Sequence, residues 1–332
     1  MPTAAPRPDA PRPPRLEAAG LLNHVFAFSS RAARMLPVAQ PARYGVALER
    51  DVAWRAPLPS APDAHLLDVY RPVGAAGPLP VVIYLHGGGF RGLDKDTHWV
   101  MGIGFANAGY LVFNVNYRLA PRHRFPAAAE DACEAWIWAV RNAARFGGDP
   151  ARIVVAGESA GANLAAVVGV ATAWRREEPW ARAAFDEGVS PCAIAPACGI
   201  LQVSDPGRFA RRKNIGRLTN SVISGCFYGY VGRDEDPTGD HGLADPLVVV
   251  ERAPPPHRPM APTFLAVGTR DPLLDDTRRF AAALASHGSP VEARYYKGME
   301  HAFHAWMVRP QARLCWGDQL RFLGGYSGAA KA

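Results

Sequence analysis

Two rhythms of apolar and polar positions run along the chain. Short runs rich in β-branched and aromatic residues, at 66–70, 81–85, 111–115, 153–156, 193–197, 263–267 and 291–296, read as strands. Between them lie longer stretches with apolar residues every three to four positions, which predict helices over about 127–145, 160–176, 275–287 and 310–323. Strands alternating with helices make a mostly parallel sheet covered on both faces. Two stretches stand outside this rhythm. Residues 16–42 place Leu21, Leu22, Val25, Phe26 and Phe28 at roughly helical spacing and end near Pro37 and Pro41. Residues 200–240 contain no clear strand and read as an insertion in the α/β pattern. Residues 1–15 are Pro, Arg and Ala with little to bury, which predicts a mobile tail. No repeat at a period of 20 to 50 residues is present.

Composition narrows the class. At 332 residues and 48% hydrophobic, the chain can bury a substantial core, and wholesale disorder is excluded. No apolar run reaches the roughly 18 residues of a membrane span. The net charge of +7 is mostly arginine. A nucleic-acid binder would cluster such charge beside stacking aromatics; here the arginines are scattered, apart from Arg208, Arg211, Arg212, Lys213 and Arg217, which read as a solvated face. No nucleic-acid partner is expected, and a homodimer is open. Five cysteines without a C-x-x-C pair read as small core residues in a reducing compartment. The N-terminus lacks the apolar stretch of a secretory signal, so a cytoplasmic location is expected.

Candidate chemistry lies at strand ends. The apolar run at 153–156 leads into Gly157-Glu158-Ser159-Ala160-Gly161 and then a helical pattern. A nucleophilic serine on a sharp strand-to-helix turn needs small residues on either side, and the helix behind it directs amides at developing negative charge. Upstream, the run at 81–85 ends in His86-Gly87-Gly88-Gly89-Phe90, whose glycines let backbone N–H groups approach a ligand oxygen. Asp271 follows the run at 263–267, and His301 follows that at 291–296. Nucleophile, acid and base therefore occur in the order Ser159, Asp271, His301, each at the carboxyl end of a strand. His304, three residues on, is a rival base. Asp275 and Asp276 fit the first turn of a helix better than the acid's place. Glu130 and Asp131 are expected to pair with Arg118 or cap a helix, and Met299 and Trp306 to pack.

These motifs, with Asn116-Tyr-Arg-Leu-Ala-Pro121, Gly147-Gly-Asp-Pro150, Asp271-Pro-Leu273 and His301-Ala-Phe303, resemble the hormone-sensitive-lipase family of α/β-hydrolase esterases. The resemblance runs from about Leu66 to His301. It implies an α/β-hydrolase fold with an eight-stranded, mostly parallel sheet and a helical cap. The cap would comprise 16–45 and 200–240, and the catalytic core 46–199 and 241–326. It also implies a Ser159-His301-Asp271 triad and an oxyanion hole from the amides of Gly88, Gly89 and Ala160, supported by His86, Gly87 and Glu158. The family often carries Asp where Glu158 stands, and Glu or His where Arg122 stands. The expected activity is hydrolysis of short- to medium-chain carboxylic esters, aryl esters included, through an acyl-enzyme. Amide hydrolysis by the same triad is an alternative, and a non-catalytic small-molecule receptor a remoter one. No metal or organic cofactor is expected, because nothing shows ligand spacing.

Overall fold

The chain lays down eight strands: β1 (Val46–Ala53), β2 (Leu66–Pro72), β3 (Leu79–Leu85), β4 (Leu111–Val115), β5 (Gly148–Glu158), β6 (Ala193–Ala197), β7 (Thr263–Gly268) and β8 (Val291–Tyr296). The structure is a computed structural model that describes residues 17–212, 215–232 and 235–329, with side chains from His24 on. The tail expected at 1–15 lies outside the described residues. The strands form one sheet in the order β1-β2-β4-β3-β5-β6-β7-β8. β1 and β2 run antiparallel to their neighbours, and every pairing from β4 to β8 is parallel.

Ten helices accompany the sheet among the described residues: α1 (Glu17–Arg34), α2 (Trp99–Asn107), α3 (Ala127–Asn142), α4 (Ala160–Ala173), α5 (Pro179–Asp186), α6 (Gly207–Ala210), α7 (Arg217–Tyr230), α8 (Pro246–Arg252), α9 (Leu274–Ser286) and α10 (Pro310–Ser327). Strand side chains alternate between faces, so central β3, buried at every position, supplies two cores. Val81, Ile83 and Leu85 belong to one core, together with Trp136 of α3, Leu164 of α4, Leu247 of α8 and Phe280 of α9. Val82 and Tyr84 meet α2 and α10 through Phe105 and Trp316. α4 is buried along its whole length, which explains why it is apolar all round rather than amphipathic.

The seven expected strands are present, and β1 adds an eighth. β1 escapes sequence patterning because it is an edge strand with a mostly exposed, charged face (Glu49, Arg50, Asp51). The segment expected as one helix over 16–42 is α1 followed by short 3-10 turns at Pro37–Ala39 and Pro41–Tyr44. The insertion holds α6 and α7, and α7 packs against α1. Of the cluster read as a solvated face, Arg211 and Arg217 are exposed, with Arg211 meeting Asp205 at 2.6 Å. Arg208 and Arg212 are instead partly buried and tied down, meeting Asp276 at 2.9 Å and Asp275 at 3.2 Å. Lys213 lies outside the described residues. Trp306, expected to pack, is more than half exposed. No described helix is long and apolar enough to cross a membrane.

Candidate active site

Parallel strands end on the same edge, so the loops after β3, β5, β7 and β8 converge there. β5 passes at Ser159 straight into α4, with Ser159 at φ 54°, ψ −114°. Only a constrained turn holds a serine in that region. The constraint is steric: a Cβ at Gly161 would stand 2.0 Å from the Leu85 carbonyl oxygen, so α4 is pressed against the end of β3 at a distance only glycine allows. Ser159 N donates to Ala197 O at 3.0 Å, which fixes the turn to β6.

His301 Nε2 lies 3.0 Å from Ser159 Oγ, and His301 Nδ1 lies 2.9 Å from Asp271 Oδ2. Asp271 is buried, and its other oxygen accepts the Leu273 amide at 2.8 Å. The His301 side chain keeps 37% of its surface open. Burial opposes its charge, but Asp271 outweighs burial and raises the imidazole above its ordinary value. The unit is a serine whose proton can pass to an imidazole oriented by a buried carboxylate.

The loop after β3 carries Gly88 at φ 116°, and a Cβ there would lie 2.0 Å from Gly92 O. Ala160 N belongs to the first turn of α4, whose amides have no intrahelical acceptor. His86 braces the loop as expected: its Nδ1 is 2.7 Å from Gly87 O, its ring stacks on Tyr117 at 4.2 Å, and Tyr117 Oη donates to His86 O at 2.7 Å. Burial, with His98 nearby, pushes the His86 imidazole well below its ordinary range, which keeps it neutral at pH 7.

Glu158 holds a larger place than its neighbours suggest. It is buried between two imidazoles, with Oε1 2.9 Å from His98 Nε2 and Oε2 2.9 Å from His304 Nε2. The second contact is an ion-pair distance without hydrogen-bond alignment. Burial would raise the carboxyl, yet His304 and His98 outweigh burial and hold it far below the usual carboxylate range. His98 Nε2 gives its proton to the Glu158 carboxylate and stands 3.3 Å from Gly87 N as a contact rather than a second hydrogen bond, so the ring lies between the residue before Ser159 and the glycine loop. His304 thus turns away from the serine to brace Glu158. Sequence reasoning missed His98, because a Thr-His pair 60 residues upstream of Glu158 carries no local sign of the contact. Glu130 and Asp131 both pair with Arg118 at 2.8 Å, and Asp275 and Asp276 sit in the first turn of α9.

Cys198, Asp271 and His301 bring three ligand-type atoms within 4.8 Å of one another. They do not suit a metal: His301 and Asp271 already satisfy each other, and burial pushes the Cys198 thiol well above its ordinary value, away from the thiolate a metal needs. A cavity of about 1010 Å³ is walled by Asp63, His86, Lys95, Asn116 and Tyr117 among others, and touches none of Ser159, Asp271 or His301. The candidate site follows the strand ends, not this hollow.

Comparison with known proteins agrees with the fold. Residues 82–305 match a family model described as alpha/beta hydrolase fold. The chain is 34% identical over 239 residues to Carboxylesterase NlhH of Mycobacterium tuberculosis, covering 71% of this chain and 70% of that protein. It is 32% identical over 241 residues to Carboxylic ester hydrolase LipN of the same organism, covering 70% of this chain and 59% of that one. Among solved structures, a bacterial heroin esterase superposes with a TM-score of 0.73 at 25% identity, covering 96% of this chain and 95% of that one. An esterase from the archaeon Pyrobaculum calidifontis gives 0.72 at 25% identity, with 94% of each chain covered.

Proposed function

The chain belongs to the α/β-hydrolase family, in its hormone-sensitive-lipase-like branch, and from that premise we propose that it is a serine carboxylesterase. The observation that carries the reading is the unbroken run from Ser159 Oγ through His301 to Asp271, at 3.0 and 2.9 Å, on a strained strand-to-helix turn. Ser159 attacks the ester carbonyl while His301 accepts its proton, and Asp271 holds the ring and stabilises the imidazolium. The amides of Gly88, Gly89 and Ala160 receive the oxyanion. His301 then returns the proton to the leaving alcohol and, in the second half, activates the water that hydrolyses the acyl-enzyme.

α1 and α7 act as a cap over the site, and short- to medium-chain esters are the substrates. The names of the relatives support the ester bond: carboxylesterase and carboxylic ester hydrolase. Five free cysteines, four of them buried, suit a reducing cytoplasm. A series of p-nitrophenyl esters from acetate to laurate tests the reading. Turnover should peak at short to medium chains; no ester turnover, with rapid cleavage of the matching anilides, would replace the esterase with an amidase.

A further inference from the structure

Three glycines in a row leave the loop after β3 with no side chains to hold its shape, while an amide that is to receive an oxyanion must stand within roughly 0.5 Å of its productive place. The loop is therefore fixed from outside. His86 at one end stacks on Tyr117, and Phe90 at the other stacks on Tyr230 at 3.7 Å. Gly87 is fixed in a different way. A Cβ there would stand 3.2 Å from both Cγ and Oε1 of Glu158, so the backbone lies flush on that side chain. The residue ahead of the nucleophile is thus the floor under the start of the glycine loop.

Glu158 is itself held at both oxygens, from two further segments. His98, just ahead of α2, reaches Oε1 at 2.9 Å, and its own Nδ1 is oriented by Asp94 O at 3.1 Å and Thr97 Oγ1 at 3.0 Å. His304, three residues after His301, faces Oε2 at 2.9 Å, and Trp316 Nε1 of α10 donates to His304 O at 3.1 Å. All three side chains are buried, where hydrogen bonds are stronger and less readily exchanged for water. His304 lacks hydrogen-bond alignment and is the lesser anchor. The other titratable groups that feel this carboxylate are Tyr84 on β3, His86, Tyr117, Cys198 and His301. One carboxylate therefore touches, directly or through a histidine, the nucleophile turn, the glycine loop and the segment that carries the base.

We propose that Glu158 is a positioning residue for the reaction. With His98 as its main anchor, it registers the glycine loop against the Ser159 turn, so that the amides of Gly88 and Gly89 on the loop and of Ala160 on α4 converge on one oxyanion. The proposal rests on the hydrolase reading above. Its role is geometric: no proton or bond passes through Glu158. An error of register weakens the transition state and not the bound substrate, so its signature is a fall in kcat at constant KM.

The test measures kcat and KM for p-nitrophenyl butyrate, per active site titrated to completion with a fluorophosphonate. Beside them it measures the affinity for a trifluoromethyl ketone of matching chain length, which adds to the serine and forms a tetrahedral oxyanion without turnover. His98→Leu, which fills the space but has no donor, should lower kcat at least about 30-fold with KM within about threefold, and weaken the ketone by a similar factor. His98→Gln, which keeps a donor near the Nε2 position, should recover most of both. Glu158→Asp keeps the charge but withdraws the carboxylate by one carbon–carbon bond, about 1.5 Å, too far to hold both imidazoles. It should lose kcat across the whole pH profile with the acid limb little moved. Variants that lower only the melting temperature or the titratable fraction, with kcat per site and ketone affinity unchanged, would overturn the proposal. So would His98→Gln as impaired as His98→Leu. Wild-type protein that binds the ketone yet turns over no ester would refute the esterase reading, and ketone affinity in the His98 variants would still decide the proposal. No ketone binding by the wild-type protein would overturn both.

Discussion

On the proposed mechanism Ser159, His301 and Asp271 operate as one unit, so loss of either reacting member should remove most of the chemistry. Ser159→Ala should lower kcat roughly 10⁴- to 10⁶-fold with the fold unchanged by circular dichroism. His301→Asn should be nearly as damaging. His304→Asn should behave differently, because His304 Nε2 faces Glu158 rather than the serine. It should cost less than about tenfold in kcat, and about 1–3 kcal/mol of stability by denaturant titration, since it strips a partner from a buried carboxylate. If His304→Asn is the dead variant, the base has been misassigned. The acid limb of the rate profile follows from His301: the base works neutral, and its value is raised, so activity should already be falling above the ordinary pH 6.5 as the solution is acidified. Glu158 contributes to that elevation, so Glu158→Gln should move the limb to lower pH. A limb that stays in place would leave Glu158 with a structural role only. Glu158's own depressed value adds stability above the usual carboxylate range, and that stability is lost on acidification as pH falls toward its folded value.

Elements hold these residues by close contacts more than by bulk packing. The turn at Ser159 exists because Gly161 lets α4 approach the Leu85 carbonyl. Gly161→Ala should therefore push the elbow away, costing at least about 100-fold in kcat/KM by displacing a proposed oxyanion donor. Unchanged kinetics in that variant would show that the close approach is not needed. α1 is fastened in a comparable way. Arg31 pairs with Asp94, Arg34 pairs with Asp96, and Ser30 Oγ donates to Thr97 O at 2.7 Å. All three partners lie just ahead of His98, which reaches Glu158. The double variant Arg31→Ala/Arg34→Ala should make α1 several-fold more sensitive to limited proteolysis and shift the acyl-chain profile. Proteolysis and profile both unchanged would detach α1 from the proposed cap. The element pattern was legible in sequence wherever a strand was buried on both faces, as in β3, β4 and β6. It failed where an element is charged, as in β1, or short and broken by glycine, as in α2 with Gly102 and Gly104.

At the scale of the molecule, one sheet carries four loops to one edge, and that convergence lets motifs 30 to 142 residues apart meet within 3 Å. Local motifs at Gly157–Gly161, His86–Phe90, Asp271 and His301 pointed to the site, because each needs only its own strand end to be placed. The long-range partners were invisible from sequence. His98 meets Glu158 only through the path of the loop after β3. The proposed chemistry depends on Ser159 as the nucleophile. Intact mass after treatment with a serine-directed fluorophosphonate tests it most directly. The wild-type protein should gain one adduct, mapped by peptide fragmentation to Ser159, and Ser159→Ala should gain none. Labelling of the variant at the wild-type rate, or an adduct mapped to another residue, would contradict the account.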